Sequence, residues 1–164
     1  MNRYDVIIIG AGPSGLATAI EAQRQNLNYV VLDKGCITNS IYNFPSQMIF
    51  FTTPELLEIG GLPLVSDREK PSRNEGLKYY RRVVNSLGLR IRQYEAVVNV
   101  HQPQPHQFQV TTTRGQLEAR NIVIAIGYYD NPNMLKVPGE DLPHVSHYYT
   151  EPYPFFDRDV AVIG

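Results

Sequence analysis

The stretch Gly10-Ala-Gly12-Pro-Ser-Gly15 constrains this chain more than any other, because of what stands on either side of it. Before it, Tyr4 to Ile9 is a short Ile-rich run ending in glycine, which suits a strand buried on both faces of a parallel sheet. After it, Ser14 to Gln25 carries Leu16, Ala17, Ala19 and Ile20 ahead of polar residues, and Asn26 stands where a helix would end. Tyr29 to Leu32 reads as a second strand. Two parallel strands joined by a helix make a right-handed βαβ unit. In that context each glycine has a mechanical reason: Gly10 for a tight turn, Gly12 for close approach of a pyrophosphate to the backbone, Gly15 for tight helix–strand packing. The helix start supplies free N–H groups and a partial positive charge for phosphates. Asp33, closing strand two, can accept hydrogen bonds from a ribose and would repel a 2′-phosphate, so the site suits FAD or NAD better than NADP. Glycine turns also occur without a ligand; the preceding strand, Ala19 in the helix and the position of Asp33 set this one apart.

Lys34 to Lys70 is rich in turn formers and predicts loops with one or two short elements. Ser72 with Glu75 forms a capping box, and Leu77, Tyr80, Val84 and Leu87 keep helical spacing up to Gly88, predicting a helix from Arg73 to Leu87. Ile91 to Val100 reads as a strand, and Phe108–Thr113, Arg114-Gly115 and Gln116–Ala119 as a hairpin, together a three-stranded β-meander. Asn121 to Ile126 reads as a further buried strand ending at Gly127. A Pro-rich connection follows, and Asp159 to Gly164 repeats the apolar-strand-into-glycine chemistry of Val6 to Gly10. The expected organisation is α/β: a Rossmann-like domain for FAD or NAD over 1–130 with a parallel sheet and the meander, an FAD-binding domain by the resemblance given next, a connection over 131–158, and over 159–164 the first strand of a second dinucleotide-binding domain, at whose start the chain is truncated.

Asn39-Ser-Ile-Tyr-Asn-Phe-Pro45, Phe50-Phe-Thr-Thr-Pro-Glu-Leu-Leu-Glu-Ile-Gly60, Lys70-Pro, Ala125-Ile-Gly127-Tyr-Tyr-Asp-Asn-Pro132 and Val137-Pro-Gly-Glu-Asp-Leu-Pro143 resemble the bacillithiol-disulfide reductases, within the two-dinucleotide-domain flavoproteins that include thioredoxin reductases and flavin monooxygenases. The resemblance implies FAD bound by Gly10, Gly12, Pro13, Ser14 and Gly15 at the pyrophosphate and by Asp33 at the ribose. It implies Lys34, Gly35 and Val97 along the adenosine half, Ala125 to Gly127 closing over the cofactor, and Asn39, Ile41, Phe51 and Thr52 towards the flavin ring or ribityl chain. It further implies NADPH held mostly beyond the end of this chain and reduction of a small-molecule disulfide such as bacillithiol disulfide. Some members of that family carry cysteine where Ser14 stands here, so a thiol mechanism at that position is closed to this chain. No residue is assigned a catalytic role. Flavin monooxygenase, ferredoxin-reductase or thioredoxin-reductase-like chemistry, or a truncated FAD-binding module inactive on its own, are the alternatives.

A net charge of -1 with 19% charged residues lacks the basic excess of nucleic-acid binders. Val6 to Ile9 is far shorter than the ~20 residues of a membrane span, and no leader pattern follows it. A cytoplasmic protein without a nucleic-acid or membrane partner is expected; homo-oligomerisation of a longer chain is left open. Cys36, the lone cysteine, is expected to pack as a small apolar group. His144 and His147 lack partners in ligand order and predict no metal site. Tyr148, Tyr149, Tyr153, Phe155 and Phe156 are expected to pack between domains, along the connection, and Arg81 and Arg82 to face solvent.

Overall fold

The structure, a computed structural model, describes residues 3–163. In chain order the elements are β1 (Arg3–Ile9), α1 (Pro13–Arg24), β2 (Tyr29–Leu32), α2 (Asn39–Tyr42), a 3-10 turn (Pro54–Leu56), α3 (Arg73–Leu87), β3 (Ile91–Arg92), β4 (Val97–Gln104), β5 (Gln107–Thr112), β6 (Gly115–Ile124) and a second 3-10 turn (Tyr153–Phe155). No helix among the described residues is long and apolar enough to cross a membrane.

The sheet has six strands in the order β3-β2-β1-β6-β5-β4, parallel from β3 to β6 and antiparallel beyond. Alternation along β1 decides its two faces: Val6 and Ile8 join α1 and α3 in the larger core, whereas Ile7 joins Val30, Leu32, Val110, Leu117 and Ala119 on the other side. The sheet also has to curl. β3 and β4 are its opposite edges, roughly 24 Å apart if the sheet were flat, yet only residues 93–96 join them, a reach of roughly 18 Å. The meander therefore folds back over the second face of β1 and β2, which is why Val97 packs in the same cluster as Val30.

Two readings of the strands are corrected here. Ile91 to Val100 is not one strand, because the backbone between β3 and β4 is drawn to the end of β2: Asp33 N–H donates to Arg92 O (3.1 Å), Glu95 N–H to Asp33 O (2.8 Å) and Tyr94 N–H to Gly35 O (3.0 Å), with Tyr94 at φ 55°. Gln116–Ala119 and Asn121–Ile126 are not separate strands either. They are one strand, β6, whose first half pairs with β5 up to Phe108↔Ala119 and whose second half pairs with β1 up to Ile9↔Ile124. Since β5 has left by then, the outer edge of that second half has no neighbour among the described residues. Ile124 and Ile126 are accordingly 71% and 57% exposed rather than buried.

Helix α3 forms as its cap predicts: Glu75 N–H donates to Ser72 Oγ, Ser72 N–H donates to Glu75 Oε2 (2.7 Å), and the helix ends at Gly88 with φ 60°. Its fully buried face is Gly76, Tyr79, Tyr80, Val83 and Val84, with Leu77 and Leu87 flanking. Both phenols find carbonyls where they are buried, Tyr79 at Leu62 O and Tyr80 at Leu57 O. Helix α1 ends as expected, Asn26 taking φ 55°. Residues 159–163 form no strand and are exposed, because no neighbouring segment among the described residues takes up their N–H and C=O groups; Gly164 lies outside the described residues.

Candidate functional site

The parallel strands point their C-terminal ends the same way, and the chain reverses its lateral direction at β1: β2 and β3 add on one side, β6 on the other. The crevice between β1 and β6 is thus a topological switch point, where open α/β sheets take their ligands. Ala125 N–H donates to Ile9 O (2.8 Å) and Gly10 N–H to Leu32 O (2.7 Å), so the ends of β6, β1 and β2 are tied side by side.

The three glycines differ in what demands them. A Cβ on Gly10 would lie 2.3 Å from Ala125 O, at φ 106°, and a Cβ on Gly15 would lie 1.9 Å from Gly10 O. Both are imposed by the protein's own backbone. A Cβ on Gly12 would meet nothing within 4 Å. Gly12 is also the N-cap of α1, with Pro13 at the first helical position, and no side chain caps the N–H groups of the first turn.

Asp33 is almost fully buried. One carboxylate oxygen accepts from Ala11 N–H (2.7 Å), the other from Gly35 N–H (2.8 Å). The residue singled out for a ribose therefore also staples the glycine turn to the end of β2, while each oxygen keeps a further lone pair. Lys34 forms an ion pair with Asp130 (2.7 Å), a partner that spacing alone does not reveal. Gly35 is crossed by the Asn39 side chain, 2.2 Å from where a Cβ would stand. Cys36 is half-buried with Sγ 3.7 Å from Asn39 Oδ1, and burial pushes its thiol pKa up, away from a reactive thiolate.

Beside the start of α1 lies a cleft of about 280 Å³, lined by Pro13, Ser14, Ala17, Ile41, Phe50 and Tyr80. Ile41 is buried there, and Tyr80, its pKa raised to about 12 by burial, stays a neutral phenol. The expected site residues Gly10 to Gly15, Asp33 to Gly35, Asn39, Ile41 and Ala125 to Gly127 thus gather around the C-terminal ends of β1, β2 and β6. Phe51 is 91% exposed, and Thr52 Oγ1 is buried without a hydrogen-bond partner. Val97 starts β4 opposite Thr112, two residues after Glu95, whose N–H donates to Asp33 O (2.8 Å). A larger cavity of about 570 Å³, between Ser46–Ile49 and the start of α3, includes none of the expected residues.

Of the remaining singled-out residues, His147 pairs with Glu140 (3.0 Å), a carboxylate partner its spacing to His144 did not suggest. Tyr149 stacks on Phe155, and Tyr153 and Phe156 are 82% and 83% exposed in this chain. Arg81 and Arg82 are exposed.

Residues 7–164 match the sequence pattern of the family described as pyridine nucleotide-disulphide oxidoreductase. The chain belongs to that family. It is 44% identical over its whole length to the bacilliredoxin reductase Bdr of Bacillus subtilis (strain 168), of which it covers 51%. Among solved structures, the bacillithiol disulfide reductase Bdr from Staphylococcus aureus superposes with a TM-score of 0.94 at 42% identity, over 97% of this chain and 49% of that one. A flavin-containing monooxygenase from Stenotrophomonas maltophilia is more distant, with a TM-score of 0.80 at 26% identity over 94% and 49% of the two chains. The chain spans about half the length of these relatives. The resemblance carried by residues 39–60 and 125–143 thus points to the same relatives as the whole chain does, and the α/β architecture is theirs.

Proposed function

We propose that this chain is the FAD-binding portion of an NADPH-dependent oxidoreductase that reduces a small-molecule disulfide, bacillithiol disulfide being the substrate favoured by the likeness to Bdr. The observation that carries the reading is the contrast among the glycines: Gly10 and Gly15 are required by the fold, whereas the space over Gly12, at an uncapped helix start, is used by nothing among the described residues. That is what a bound pyrophosphate needs. Gly12, Pro13, Ser14 and Gly15 would hold the phosphates, the free lone pairs of Asp33 the ribose, and Ala125 to Gly127 the opposite wall. Thr52 Oγ1, orphaned in the protein, suits a hydroxyl of the ribityl chain, because a buried hydroxyl without a partner costs about 1–3 kcal/mol.

When bound, FAD supplies two-electron chemistry between a nicotinamide and a disulfide. The part taken by this chain would be to bind, orient and shield: the glycine turn would hold the pyrophosphate in the middle of the cofactor, and the apolar cleft beside Ser14 would exclude water from the part next to it. Residues 159–164 are read as the start of the NADPH-binding domain that longer relatives have room for. A flavin monooxygenase or a ferredoxin reductase is the second reading, supported by the 26% identity to the Stenotrophomonas monooxygenase.

Steady-state oxidation of NADPH and NADH by the full-length protein, with bacillithiol disulfide as acceptor, tests the proposal. Turnover that needs the disulfide and prefers NADPH is expected; flavin reduction without any response to the disulfide overturns the substrate assignment in favour of the second reading. Gly12→Ala is expected to lower flavin content while leaving the thermal unfolding midpoint of the flavin-free protein in place.

A further inference from the structure

Two adjacent residues just beyond β6 reach in different directions across the crevice. Asp130 pairs with Lys34, the second residue after β2. Because β1 lies between β2 and β6, that ion pair crosses the C-terminal end of β1, where the glycine turn stands. Tyr129 turns towards the loop after α2: its hydroxyl donates to Asn43 O (2.7 Å) and its ring meets Phe44 edge-on at 5.1 Å. Asn43 is the C-cap of α2, so this carbonyl is one of those a helix end leaves without an internal partner. Tyr148 backs the Tyr129 ring at 5.1 Å and donates its own hydroxyl to Tyr129 O (3.0 Å). Burial raises the Tyr129 pKa, so its O–H remains a donor across the physiological range.

We propose that Tyr129 and Asp130 form a clasp across the mouth of the dinucleotide crevice, retaining the cofactor by tying the wall after β6 to the α2 loop and to Lys34. The inference rests on the flavin reading above and adds positioning residues to it. The two arms differ in physics. Lys34 and Asp130 are about half exposed, so their attraction is screened by salt. The Tyr129 arm is a hydrogen bond between uncharged groups backed by an edge-on and a tilted ring contact and is insensitive to salt. Cofactor departure requires both arms to open.

The test measures flavin release from the full-length protein, by the fluorescence of freed FAD after dilution, in wild type, Tyr129→Phe, Asp130→Asn and Lys34→Gln at low and high ionic strength. Tyr129→Phe keeps the ring and loses the hydroxyl, and is expected to speed release about two- to tenfold at either salt concentration. Asp130→Asn and Lys34→Gln are expected to speed it up to about fivefold at low salt. Wild-type release accelerates with salt, and both charge variants lose that dependence. Release at the wild-type rate in the variants overturns the clasp. So does faster release that merely follows a lowered unfolding midpoint of the flavin-free protein, or a salt dependence that survives in the charge variants. A full-length wild type that holds no flavin overturns the cofactor reading itself, and the clasp with it.

Discussion

Val6-Ile-Ile-Ile9 and Val160-Ala-Val-Ile163 are nearly the same chemistry, yet the first is part of the central strand and the second is extended and exposed, Val162 by 90%. The difference is neighbours. β1 has β2 on one side, β6 on the other, a helix layer over one face and the meander over the other, so every backbone group and side chain has somewhere to go. Residues 160–163 have none of these among the described residues. Apolar sequence specifies a strand only where tertiary structure offers an edge to pair with and a face to cover.

Breaking the favoured member of this pair should cost most. Gly10→Ala places a Cβ 2.3 Å from Ala125 O at φ 106°, forcing the ends of β1 and β6 apart. A loss of about 4 kcal/mol in urea-unfolding free energy is expected, in the exceptional range kept for backbone conflicts; a loss under about 1 kcal/mol would mean the two strand ends are not locked together.

Asp33→Ala comes next. It strips the acceptors from Ala11 and Gly35 N–H at the same corner, and about 2–3 kcal/mol of destabilisation is expected by the same measurement. If stability is unchanged and only flavin affinity falls, Asp33 is a ligand residue alone and the staple carries nothing.

A smaller effect lies at α3, away from both apolar runs. The Ser72 hydroxyl and backbone N–H hold the Glu75 carboxyl down from 4.5 to about 2. A depressed carboxyl stabilises the fold above its ordinary value, and that contribution disappears as pH falls through the folded-state value. Wild type should therefore exceed Glu75→Gln by about 1 kcal/mol above pH 4.5, with the gap closing towards pH 2. Unfolding midpoints of the two proteins across pH 2–6 decide it, and a gap that persists at pH 2 would show that the carboxylate charge is not what caps the helix.

The smallest effect is expected at the second apolar run. Val162→Ser should move the stability of this chain by under about 0.5 kcal/mol, since nothing covers the side chain. In the full-length protein the same substitution should cost more, if residues 160–163 become the first strand of a further domain there; equal small effects in both would remove that reading.

Much of this was legible in residues alone. The run before Gly10, the helix after it, the buried second strand and the Ser72–Glu75 cap are local patterns with local causes, and they form where the spacing puts them. The assignments of Gly10 and Gly15 to a turn and to close packing also follow from the motif, because only glycine tolerates those approaches. The meander strands were misdivided because their boundaries are set by partners distant in sequence. Arg92 and Tyr94 are pulled to Asp33 and Gly35, and β6 changes neighbour halfway along its length. Periodicity carries no record of either event.

The candidate site divides the same way. Sequence by itself determined which residues can stand at a dinucleotide's phosphates, since a strand, three spaced glycines and a helix start are contiguous and each needs only its own backbone. Tertiary structure alone decided what those residues do besides. It made Asp33 a backbone staple as well as a ribose candidate, set Asp130 against Lys34 and Tyr129 against Asn43, and left the space over Gly12 open. The physical reason is that hydrogen bonds, ion pairs and ring contacts act over a few ångströms in space regardless of chain separation, and only the curled sheet brings those groups within that distance.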